Sequence, residues 1–334
     1  MLNYILRRVL WMVPTLFGIT LLLFVVMQLA PGDPATIRFG AGAGATGAMQ
    51  GAGGIEDAIE KFRKKHHLDE PIWVQYGFWL RDVVTLDFGE EFSRPGVQVM
   101  DELTERMKIT VPLSLISVVL SYLIALPLGI YSAARQHSLT DKTTTLLLFI
   151  LYSLPTFWVG LMLILIFGQT GLGWLPILGL HDKDAHLLTG WPWWRDLLVH
   201  SILPVATLTY GGLAYLSRQM RVGMLDVIRQ DYIRTARAKG LSERVVILRH
   251  ATRNSLIPVV TVFASILPIL IGGSVIVEQI FNIPGMGLYA YEGLIKRDYP
   301  VVLATTTVSA VMTLFGFLLS DVLYAVVDPR ISYE

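Results

Sequence analysis

Six stretches of about 20 residues, spanning 9–30, 110–131, 146–167, 199–217, 257–277 and 302–327, are apolar enough to cross the hydrocarbon core of a bilayer. In lipid the backbone must satisfy its own hydrogen bonds, so each reads as a helix. The expected fold is therefore an all-α polytopic membrane protein with six transmembrane helices and a large loop, 31–109, after the first. Composition agrees: 53% of residues are apolar and only 16% are charged, against about 25% charged in soluble domains. There are no cysteines, which excludes a disulfide frame and a thiolate metal site or nucleophile.

Arg7 and Arg8 precede the first span, whose apolar run exceeds the 7–15 residues of a signal-peptide core, so it is expected to be retained. The PGDP run after it stops the helix, because proline also pushes its preceding residue out of helical geometry. Residues 40–54 are a low-complexity, glycine-rich tether. Ile55, Ile59 and Phe62 then share a face while Glu60 and Lys64 pair at i,i+4, which describes a short amphipathic helix. Trp73, Tyr76, Phe78 and Trp79 form either an interfacial belt, a small local core or a docking surface. Pro112 and Pro127 interrupt the second span, Pro155 lies in the third, and Gly211 and Gly212 soften the fourth. Gly285 and Gly287 allow a tight re-entrant turn, expected to close the outer mouth of a pathway.

Charge sets the orientation. Residues 218–253 hold nine Lys or Arg against three Asp or Glu, whereas the short loops 169–200 and 278–302 hold two basic residues each. The basic cluster is therefore expected on the cytoplasmic side, with both termini. Anionic lipid heads would also meet it.

Within that cluster, 231–258 reads as two helices meeting at a glycine. Leu225, Ile228, Tyr232 and Ala236 recur at spacings of three and four, so they are expected on one helical face. Gly240 can take a left-handed backbone at no steric cost and turns the chain. Ser242 is placed to cap the next helix, with Glu243 in its first turn. Leu241, Val245 and Leu248 make a second apolar stripe, and Pro258 marks re-entry into the membrane. A basic amphipathic elbow of this kind is a surface shaped to be held by another protein.

The run DYIRTARAKGLSERVVILRHATRNSLIP resembles the cytoplasmic EAA loop of the inner-membrane permease subunits of ABC importers, most closely the dipeptide and oligopeptide branch. The glutamate-alanine-alanine lead of the family falls on Arg234, Thr235 and Ala236, so only Ala236 and Gly240 agree with the general pattern, and Gly240 and Pro258 lie further apart than in sugar permeases. PGDP, SLPTFW, RDYPVV and DPRI extend the resemblance over nearly the whole chain. It implies a type I importer core at 110–327, with 1–109 as an amino-terminal addition and 328–334 as a cytoplasmic tail. It also implies coupling to ATPase subunits through Tyr232, Thr235, Ala236, Arg237, Lys239, Gly240, Leu241 and Ser242. The implied partners are a second homologous permease, two ATP-binding subunits and an extracytoplasmic solute-binding protein, which the aromatics at 73–79 could face. Di- or oligopeptides are the implied cargo; nickel chelates, opines and sugars travel through relatives.

The chain has no Gly-Lys pair and hence no phosphate-cradling P-loop, so ATP and magnesium are expected on partner subunits and no cofactor on this one. Its seven histidines form no HExxH and no pair of ligands at helical spacing inside a span, and no G-x-S-x-G elbow occurs. No metal, no catalysis and no nucleic-acid partner is expected. Asp321 is the main ionisable residue within a span, either a helix-packing group or a functional one. The rival reading, a secondary transporter working without ATP, would need inverted repeats and midplane charges.

Overall fold

A computed structural model describes residues 2–29, 32–40, 52–168, 171–256, 259, 262, 270 and 272–327. Its helices, in chain order, are α1 (Leu2–Leu29), α2 (Pro34–Gly40), α3 (Ala52–Lys65), α4 (Ile72–Thr85), α5 (Val99–Ala134), α6 (Leu139–Ser153) and α7 (Thr156–Phe167). There follow α8 (Trp191–Ile228), α9 (Asp231–Ala238), α10 (Glu243–Val245), α11 (Thr252–Ser255), α12 (Val275–Ile280), α13 (Met286–Lys296) and α14 (Tyr299–Val327). Among the described residues the only β-type pairing is an isolated bridge between Glu90 and Gln98. The all-α expectation holds. Four helices are long and apolar enough to cross a membrane, and the bent pair α6 and α7 makes up to five. The expected span 257–277 lies largely outside the described residues, as do most of the 40–54 tether and the tail 328–334.

Three spans differ from their sequence outlines. Helix α5 runs unbroken through Pro112 and Pro127, and α8 through Gly211 and Gly212. Both extend well beyond their apolar windows, since hydropathy reports depth in lipid rather than where hydrogen bonding stops. The third span is instead broken, with α6 and α7 bent by 100°. Pro155 has no N–H to continue α6, and Leu154 before it is extended at φ −83°, ψ 130°. The Leu154 carbonyl accepts a hydrogen bond from Tyr210 Oη of α8 at 2.9 Å, which satisfies one group freed by the break.

The chain divides into two compact units. The first combines Met1–Ile109 with Gly285–Leu314. One of its cores gathers Phe24, Met27, Phe62, Phe92, Tyr299 and Leu303, with Tyr76 and Trp79 packed against it. So two of the four aromatics at 73–79 belong to a local core, while Trp73 is 80% exposed. The Glu60–Lys64 pair forms as expected. Asp33 caps α2, accepting from Thr36 N, and pairs with Arg63 at 2.8 Å. Asp298, fully buried, accepts from Ser93 N at 2.7 Å ahead of α14. The expected re-entrant turn at Gly285 and Gly287 is the start of α13, and positive φ falls instead on Asn282 before it and on Arg297 at its carboxyl end. A helix can start there because Gly285 is extended and Gly287 is buried within the first turn.

His66 packs between Phe62 and Phe92, ring centroids 4.4 and 4.5 Å away, while His67 stacks on Phe78. The two adjacent rings therefore face different partners. Burial, then the Lys65 and Arg38 cations, lowers the His66 pKa to about 4. The unfolded chain takes up this proton near pH 6.5 and the folded unit only near 4. The stability His66 permits is thus complete above about pH 6.5 and is lost as pH falls towards about 4. Protection factors for amides around Phe62 and Phe92 should fall as pH drops from about 7 to 5, and His66→Gln should flatten that dependence; equal slopes in both proteins would refute it.

The second unit combines Thr110–Pro284 with Phe315–Glu334. Here α5 and α8 approach so closely that a Cβ on Gly129 would lie 2.5 Å from the Ser217 carbonyl oxygen, so only glycine fits. This unit carries the elbow.

Candidate functional site: a basic elbow below helix α8

Helix α8 ends at Ile228, and Gln230 turns extended at φ −72°, ψ 151° before α9 begins. The expected face through Leu225, Ile228, Tyr232 and Ala236 is therefore split between two helices. On α9 the buried residues are Ile233 and Ala236, while Tyr232 points outward, 43% exposed. The break resets the helical phase, which periodicity across it could not register.

Lys239 N–H bonds the Thr235 carbonyl at 3.0 Å and Gly240 N–H the Arg237 carbonyl at 2.9 Å, closing α9. Gly240 then sits at φ 77°, the left-handed region its lack of a Cβ permits. Ser242 is extended at the head of α10 but its side chain makes no capping bond. Glu243 is instead drawn to Arg237, which donates through Nε and Nη2 at 3.0 and 2.7 Å. That two-pronged bridge straddles Gly240 and braces the turn. It raises the Arg237 pKa and holds Glu243 below the usual carboxylate range.

After α10 the chain runs as a π-helical stretch, Val246–Ala251, into α11. Its wider turn brings Val246, Ile247 and Ala251 inward, whereas the expected stripe Leu241, Val245 and Leu248 is exposed. Val246, Ile247, Ala251, Ile233 and Ala236 form one core with Met220 and Met224 of α8 and Ala133 of α5. Tyr232 Oη accepts from Asn254 Nδ2 at 2.8 Å, which ties α9 to α11. Pro258 lies outside the described residues.

The elbow is thus two-faced. Its inner face is rooted on the base of α8. Its outer face shows Tyr232, Leu241, Val245 and Leu248 among the exposed cations Arg234, Lys239, Arg244 and Arg249. Of the eight residues expected to couple, Ala236 belongs to the root, Thr235 bonds the Asp231 carbonyl, and Arg237 is engaged by Glu243. Tyr232, Lys239, Gly240, Leu241 and Ser242 are exposed. Asp321 is half-buried on α14.

Above the elbow lies a polar clasp that sequence reading passed over. Asp141 of α6, 4% exposed, accepts from Ser132 Oγ of α5, from His137 N at 3.0 Å and from Arg221 Nη2 of α8 at 3.1 Å. Ser138 caps α6 by accepting from Asp141 N. The Ser-x-x-Asp spacing is close to a capping-box signal and could have pointed to this helix start.

Two family models match. Binding-protein-dependent transport system inner membrane component covers residues 125–333, and the corresponding amino-terminal model covers 1–114. The oligopeptide transport system permease protein AppB of Bacillus subtilis is 42% identical over all of both chains. The glutathione transport system permease protein GsiC of Escherichia coli is 35% identical over all of both. Among solved structures, an inward-facing MetNI methionine ABC transporter chain superposes with TM-score 0.54 at 18% identity, covering 69% of this chain and 97% of that one; this likeness concerns the fold. The chain belongs to the family of binding-protein-dependent transport system inner membrane components, the multi-pass permease subunits of ABC importers, and is a transport component rather than an enzyme.

Proposed function

We propose that this permease forms half of a pore for di- or oligopeptides and is driven through its elbow by two ATP-binding subunits. The other half is a second, homologous permease, and a solute-binding protein delivers cargo from outside. Names of relatives, among them oligopeptide, dipeptide and glutathione permeases, support peptide cargo. ATP and magnesium belong to the partner subunits.

The observation that carries the reading is the two-faced elbow. An apolar outer face at the water side costs free energy unless a partner covers it, and the surrounding cations set its cytoplasmic side, with both termini there as well. Its inner face packs on Met220 and Met224 of α8. A push on the outer face would therefore move a long helix as a lever, in keeping with shear and rigid-body switching between two states.

Co-expression of the tagged chain with its genomic neighbours tests this. The expected result is recovery of ATP-binding subunits, with ATP turnover in lipid discs stimulated by a peptide-loaded binding protein. Recovery of the chain alone, with uptake driven by a proton gradient, would overturn the reading; turnover stimulated only by a nickel chelate, opine or sugar would overturn the cargo.

A further inference from the structure

Asp182, Asp196 and His200 each offer a ligand atom, and these atoms lie within 4.8 Å of one another. Asp196 and His200 are one turn apart at the start of α8, and Asp182 reaches them from the loop that precedes it. His200 is 4% exposed. Its Nδ1 lies 2.9 Å from the Asp196 main-chain oxygen and 3.2 Å from Asp196 Oδ1. Both are acceptors, so Nδ1 is the donor on that side. Its other ring nitrogen, Nε2, faces Asp182 Oδ1 at 3.6 Å.

We infer that Asp182, Asp196 and His200 form a site for a divalent first-row transition-metal ion. Ligands about 2.1 Å from a zinc ion and 3.6 Å apart subtend about 120° at the metal, near tetrahedral geometry. Metal-bound imidazoles characteristically donate their other N–H to a carbonyl or carboxylate, as His200 does. Asp196 is held by His181 Nδ1 at 2.7 Å and by Asp182 N at 3.2 Å, which orients it while leaving lone pairs for a metal. Asp182, with its side chain 77% exposed, leaves the ion an entry path and room for water as a fourth ligand. One nitrogen and two carboxylates suit zinc and its neighbours better than calcium or magnesium. The i,i+4 spacing of Asp196 and His200 escaped the sequence search, which sought paired ligands inside a span; the span outline begins at 199.

The loop carrying Asp182 also donates Gly179 N–H to the Phe281 carbonyl, 2.7 Å away at the end of α12. An ion at this site would fasten that loop to α8, so that one segment staples α8 to α12. This inference is independent of the coupling role of the elbow.

The test uses the full chain in lipid discs, stripped with chelator and dialysed against zinc chloride at about pH 7.5, where an ordinary imidazole is neutral. Elemental analysis should find one zinc per chain, and zinc should raise the thermal unfolding midpoint. His200→Gln and Asp182→Asn should each abolish uptake and the shift, whereas exposed His186→Gln should keep both. Asp182 is exposed, so its variant keeps the test decisive should His200→Gln fail to fold. Failure of the folded wild type to take up zinc, or unaltered uptake by Asp182→Asn, would overturn the site.

Discussion

Gly240→Val is expected to insert normally into the membrane and to lose peptide-stimulated ATP turnover. Gly240 holds φ 77°, and a Cβ added there would meet no atom within 4 Å. The penalty is therefore in the backbone, about 1–2 kcal/mol for an L-residue held left-handed and more for a β-branched one. That is small against the stability of a membrane-inserted bundle but large for a turn of a few residues. The turn is expected to relax towards negative φ, which pulls Arg237 from Glu243 and redirects Leu241 and Val245. Gly240→Asn separates geometry from chemistry, because asparagine tolerates the left-handed region; it should retain most of the stimulated turnover. ATPase assay of both variants in the assembled complex decides the matter. Normal stimulated turnover in Gly240→Val would refute the role given to the elbow, and equal loss in both would show that the side chain rather than the backbone matters.

How much of this was legible beforehand depends on the range over which each signal acts. Spans could be read because a bilayer imposes one length on every apolar segment, and Gly240 because a turn is local. The break at Gln230 could not: it needs no glycine or proline, and it moved the buried face from Tyr232 to Ile233. Leu241, Val245 and Leu248 make a stripe at ordinary helical spacing, but that spacing does not show the inward face, and the π-helical stretch sends Val246 and Ile247 there. Pro155 was visible, but whether a proline kinks a helix or divides it depends on what receives the freed carbonyls. Tyr210, 56 positions away, is one such receiver. Long-range polar contacts were the least legible. Nothing near Asp141 announces Arg221, 80 residues later, and in sequence Arg221 looks like one more member of a basic cluster.

That pairing supports the second large effect. Arg221→Met should destabilise the unit by about 3–5 kcal/mol, the usual result of leaving a buried charge without its partner. Asp141 remains 4% exposed and keeps Ser132 and His137 as donors, but loses its counter-charge. Methionine fills most of the arginine volume, so lost packing contributes little. The relief variant is Arg221→Met with Asp141→Asn, in which no charge is left to bury; it should recover much of the loss, as a coupled pair requires. Thermal unfolding in detergent, read for both single variants and the double, supplies the cycle. Because Ser132, Asp141 and Arg221 lie on α5, α6 and α8, breaking the clasp should also loosen the helix that carries the elbow. Basal ATP turnover in Arg221→Met should then persist while its stimulation by loaded binding protein falls. Additive losses in the cycle, with stimulation unchanged, would reduce the clasp to a surface ion pair and leave the stiffness of α8 to its apolar packing alone.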